Sequence, residues 1–277
     1  MAYFDLYKMS RTSFLWLLLL LSFVFMVEMR ITPWLKLPPG FDGHSYESMA
    51  EHPIDSREKV TSHHYQRILP SLIVWAFCKA TGLPVPMGFI ILSRAFFLFL
   101  ALQIFLILVY FLQDPFFAAM LSFVLLVASW PLSYNIINVW QLTDLLTFIF
   151  SLLLAWAIYK KNFSLFFICS FLAIFTRQNL MVLVAMGNLF FLFDTLHGRV
   201  SSVSMRKMIL GVFILMALVV FSFFGVVKDK GAGAAYHLFA FEFGGIGLKA
   251  LGVPFYLLSP FLLVLAFHAK KVVTLAI

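Results

Sequence analysis

The sequence predicts an all-α protein, a polytopic bundle of about eight to nine transmembrane helices whose first extracytoplasmic loop carries membrane-surface helices. Three observations predict it. Mean hydropathy is +1.00 and charged residues make up only 12% of the chain, against about 25% in an ordinary soluble domain. Several apolar runs approach or exceed the ~20 residues that cross a bilayer as helix. The runs are solidly apolar rather than alternating with period two, which rejects a β-barrel, the other architecture that satisfies its backbone inside lipid.

The elements follow in order. Residues 13–27 form the first apolar run, preceded by Lys8 and Arg11 and followed by Glu28-Met29-Arg30-Ile31-Thr32-Pro33. With no small-x-small cleavage site, this run reads as an uncleaved signal anchor. Residues 28–67 are a polar island holding six of the twelve acidic residues and four of the seven histidines. Further candidate spans are 68–83, 88–112, 115–133, 139–158, 163–193, 208–227 and 250–267. As one helix, 163–193 would be about 46 Å long, more than a ~30 Å hydrocarbon core. Its centre, Thr176-Arg177-Gln178-Asn179, permits two short segments meeting at a polar break instead. A second outer loop covers 228–249, where Tyr236, His237 and Glu242 could cover a substrate.

Orientation follows the positive-inside bias. Lys8 and Arg11, then Arg199, Arg206 and Lys207, then Lys270 and Lys271 read as cytoplasmic, which places 28–67 and 228–249 outside. Lys160-Lys161 breaks the scheme, because a count of eight spans leaves that pair on the outer face. The net charge of +8 does not suggest nucleic acid, since the basic residues are scattered at span ends rather than clustered on one face. Pairs such as Arg206-Lys207 suit anionic lipid head groups. Cys78 and Cys169 sit in separate apolar runs with no metal or redox spacing.

Chemistry has its main home in the island. Residues 41–50 read as a short helix that starts near Asp42 and ends before Pro53, with Tyr46, Met49 and Ala50 on one apolar face that can lie on the membrane surface. Asp42 is an N-cap, a general base able to deprotonate an acceptor hydroxyl at the lipid–water boundary, or both. Arg67 stands where the chain re-enters lipid, either as a snorkelling anchor or as a cation for a phosphate head group. His63 and His64 are loop histidines or assistants to that phosphate. Asp42, His44, Glu47, Glu51 and His52 offer ligands for Mg²⁺ or Mn²⁺. They lack a recognised metal spacing, so no cofactor is expected and a divalent ion is not favoured. At lipid depth, Asn135, Asn138, Gln141 and Asp144 form one polar group, and Arg94, Arg177, Gln178 and Asn179 are the others. Asp144 with Arg177 would make a structural ion pair; alternatively Arg177 neutralises a phosphate at a lateral groove.

Several patterns resemble a known family. They are Asp42-Gly-x-x-Tyr46-x-x-x-Ala50, Tyr65-x-Arg67-Ile-Leu-Pro70, Gln141-Leu-Thr-Asp144-Leu-Leu-Thr-Phe, Ala-x-Tyr-Lys-Lys161, the run ending Thr176-Arg177, and Gly245-x-Gly247 with Pro254 and Pro260. Together they resemble the bacterial GT-C-type membrane glycosyltransferases. The resemblance implies many transmembrane helices in the bacterial inner membrane and a large first outer loop. It also implies transfer of a sugar from a polyprenyl-phosphate carrier to a glycan, lipid or protein acceptor outside. It would make Asp42 the base or acceptor-orienting group, and Arg67 and Arg177 the grip on the carrier phosphate, with Tyr46, His63 and His64 beside them. Gln178 stands where many relatives carry an acidic residue, and many relatives are longer, so the chain reads as a reduced form. Two other classes compete: a transporter or flippase for a lipid-linked saccharide, using the polar groups as a path, and a non-catalytic protein of envelope-polysaccharide assembly.

Overall fold

A computed structural model describes residues 10–31, 43–53, 67–128, 139–177, 180–196, 209–214 and 216–217. Among the described residues every regular element is helical. Three helices among the described residues are long and apolar enough to cross a membrane, and four shorter apolar helices accompany them. The spans expected at 208–227 and 250–267 fall mostly or wholly outside the described residues. The chain divides into two compact units, Met1–Ile54 with Pro70–Ile149, and Asp55–Leu69 with Phe150–Ile277.

In the first unit, α1 is Arg11–Ile31. Its buried positions Ser13, Leu17, Leu20, Val24 and Glu28 recur every three to four residues, a single seam, while Leu15, Leu18, Leu19 and Phe23 are exposed. α2 is Gly43–Glu51, α3 is Ile68–Thr81, and α4 is Val85–Leu112. α4 starts beside Pro84 and ends at Gln113, which takes a left-handed conformation at φ 58° and donates its N–H to the Val109 carbonyl. Asp114 then accepts hydrogen bonds from the Phe116 and Phe117 amides at 2.9 and 3.1 Å. With Pro115 at the first helical position, α5 (Pro115–Ala128) starts at once.

This two-residue turn makes α4 and α5 packed, antiparallel neighbours. Buried Ala118, Ala119 and Ser122 give α5 a narrow face that lets backbones approach. Trp16 meets Phe116 and Phe23 meets Phe123, at 4.8 and 5.2 Å between ring centres, so α1 runs parallel to α5 and antiparallel to α4. A 3₁₀ turn, Val139–Gln141, leads into α6 (Leu142–Tyr159), which carries the chain from the first unit into the second.

In the second unit, α7 is Phe163–Ile174 and α8 is Leu180–Leu196. Asn162 caps α7 by accepting the Leu165 N–H at 3.1 Å. The two helices run antiparallel: Phe163 and Phe166 pack on Phe191 at 5.4 and 5.0 Å, and a Cβ on Gly187 would overlap the Phe166 ring. The 163–193 stretch is therefore two short helices and not one long one. The Thr176 and Arg177 amides both bond the Ala173 carbonyl, which closes α7 before Leu180 opens α8. The span expected at 68–83 is a 14-residue helix, about 21 Å long and too short to cross unaided.

Candidate functional site

The short helix expected from Asp42 onward is α2. Tyr46, Met49 and Ala50 are buried as its spacing requires, but the face packs on α4 and the 3₁₀ turn and not on a lipid surface. Tyr46, expected to touch substrate, is only 3% exposed, and its carbonyl accepts the Ser71 hydroxyl at 3.1 Å. The opposite face carries exposed His44, Glu51 and His52. Nδ1 of His44 lies 4.0 Å from the Glu47 carboxylate, a weak pair formed only when the imidazole is protonated. Burial, and after it the neighbouring Glu51, raises the Glu47 carboxyl above its ordinary value of 4.5, with His44 opposing. Among the described residues no three histidine, cysteine or acidic side chains gather where a metal ion could sit. Asp42, His63 and His64 lie outside the described residues, as do Asn135, Asn138, Gln178, Asn179 and the 228–249 loop.

The second unit brings two of the expected site residues to one neighbourhood. The amide of Leu69, in the first turn of α3, donates to the carbonyl of Phe175, the residue that caps α7, at 3.1 Å. An orphan donor of one helix start thus meets an orphan acceptor of one helix end. Two residues before the donor is Arg67, and two residues after the acceptor is Arg177. Arg67 is buried and Arg177 half-buried, and both are engaged within the protein. Thr176, fully buried, sends its hydroxyl back to the Leu172 carbonyl at 3.1 Å. The backbone bond thus places two arginines close in sequence to one helix break.

Asp144, the expected partner of Arg177, stands in the first turn of α6, where its charge suits the helix dipole. It belongs to the first unit and Arg177 to the second. Two charge pairs were not foreseen from the sequence. Buried Glu28 lies within electrostatic reach of buried Arg94, near the end of α1 and the start of α4. Lys161 donates to both carboxylate oxygens of buried Asp194, at 3.0 and 3.1 Å. The signal was an ionic residue within or at the end of an apolar run, Arg94, Glu28 and Asp194, which lipid obliges to find a partner. Gln103, buried in mid-α4, makes no side-chain hydrogen bond among the described residues. Comparison with family models, with curated proteins and with solved structures finds no match for this chain.

Proposed function

We propose that this chain is a membrane glycosyltransferase that moves a sugar from a polyprenyl-phosphate carrier to a glycan, lipid or protein acceptor on the extracytoplasmic face of a bacterial inner membrane. One observation carries the reading: the Leu69–Phe175 hydrogen bond, which draws Arg67 and Arg177 to the same helix break. Sugar transfer breaks the bond between the anomeric carbon and the carrier phosphate oxygen and forms one from that carbon to the acceptor oxygen. The acceptor proton goes to a carboxylate, and the departing phosphate keeps the electron pair. Asp42 is assigned the proton, and the two arginines the growing phosphate charge. The phosphate is a sufficient leaving group, so no nucleotide motif is needed.

Arg67→Gln and Arg177→Gln should each lower transfer from a synthetic polyprenyl-phosphate sugar by about 10²-fold, the usual loss for one stabilising donor. Lysine at either position should restore only part of it, because the planar fork is lost. Asp42→Asn should abolish transfer while leaving membrane insertion intact; wild-type activity in that variant would remove the base assignment.

A second reading, a transporter for a lipid-linked saccharide, is favoured by α7 and α8 themselves, short helices meeting at a polar break as in transporters. It predicts movement of the saccharide across reconstituted vesicles with no new glycosidic bond.

A further inference from the structure

We infer that α3 is an interfacial helix seated in one leaflet, on the same face of the membrane as α2. The first observation is direction. α1 and α4 are both long enough to cross, and they run antiparallel, because α1 is parallel to α5 through Trp16–Phe116 and Phe23–Phe123 while α4 turns directly into α5. A chain that leaves by one crossing and returns by the opposite one makes no net crossing between them. α3 lies in that interval.

The second observation is length. Arg94 lies within electrostatic reach of Glu28, near the far end of α1, and from Arg94 to Leu112 α4 rises about 27 Å, enough to match a ~30 Å core. The nine residues before Arg94 overhang that level by about 13 Å. α3 is joined to this overhang by three residues and packs on it: Val74, Phe77 and Cys78 surround Gly88, where a Cβ would overlap the Cys78 sulfur. The Ser71 hydroxyl ties the same helix to α2.

The third observation is the outward face. Pro70, Ser71, Val74 and Cys78 are buried, whereas Leu72, Ala76 and Lys79 are exposed on one stripe with Trp75 half-exposed beside it. Apolar side chains with a tryptophan and a terminal lysine suit the boundary between head groups and acyl chains. The Trp140 ring lies on Phe89, in the overhang, at 4.9 Å, so the 3₁₀ turn stands at the same end of α4 as α3.

Single cysteines in the full chain, with Cys78 and Cys169 changed to alanine, test this in sealed vesicles of mixed zwitterionic and anionic phospholipid. An impermeant maleimide should label His52→Cys and Thr81→Cys from one face, and Thr12→Cys from the other. A nitroxide on Ala76→Cys should read as shallow, and one on Leu18→Cys as deep, by collision with oxygen against an aqueous nickel chelate. Labelling of Thr81→Cys from the Thr12 face, or silence there until detergent is added, would overturn the placement. So would an Ala76 nitroxide as deep as Leu18, or one that neither probe reaches because protein covers it.

Discussion

Two glycines fix how closely helices meet. A methyl group on Gly187 would strike the rigid Phe166 ring and crowd Ile158, whereas one on Gly88 would strike the Cys78 sulfur and crowd Val74. Gly187 sits mid-helix at a cost of roughly 1 kcal/mol against alanine, which close packing must offset, and Gly88 is the fourth residue of α4. Gly187→Ala should destabilise by about 1–3 kcal/mol, as overpacking does, read by denaturant titration in mild detergent. Gly88→Ala should be milder, and adding Cys78→Ala should recover most of the loss; failure of that rescue would refute the contact. The Glu47 carboxyl offers a pH test in the same preparation. Its folded form holds a proton more tightly than the unfolded chain, chiefly through burial. Stability should therefore fall as pH rises from the ordinary carboxylate value of 4.5 through the raised one. Glu47→Gln should flatten that limb of the melting-temperature profile.

At the scale of elements, ends are set by named side chains. Asn162→Ala removes the cap of α7 and should cost about 1 kcal/mol. Beside it, Lys161 holds a left-handed φ of 51° and reaches Asp194, closing the α7–α8 pair at its base. The two halves of this ion pair differ: the lysine side chain is 51% exposed and the aspartate 5%. Water can reclaim the ammonium but not the carboxylate, so Lys161→Met should destabilise more than Asp194→Asn, by on the order of 1–3 kcal/mol. Equal effects in an unfolding titration would mean that solvent reaches the aspartate. Within the first unit, α4 outlasts α1 because its apolar run is longer than a bilayer needs, and the excess becomes a platform for α3.

For the whole molecule, the helical membrane class was legible at once, because 63% hydrophobic residues in long unbroken runs leave the backbone no other way to satisfy itself. Alkaline carbonate should accordingly leave the chain in the membrane pellet and only detergent should release it. Release by carbonate would contradict crossing helices. The apolar stripe of α2 was equally legible, since Tyr46, Met49 and Ala50 stand out from polar neighbours at helical spacing. So was the weakness at Thr176-Arg177, a polar step that splits one apolar stretch into α7 and α8. Of the candidate site, residue types and their neighbourhood on the chain could be read, but not that Leu69 and Phe175 would join Arg67 to Arg177.

Local composition thus sufficed for which segments are helical and where they break. Which faces meet was invisible, and the reason is physical. In α1, Leu17 is buried and Leu18 exposed, yet the two are chemically identical. In water a helix advertises its buried side by contrast with a polar one; in lipid both sides are apolar and the contrast disappears. The direction of α1 against α4 and the Glu28–Arg94 and Lys161–Asp194 pairs depend on packing between segments far apart in the chain. They could be found only in three dimensions.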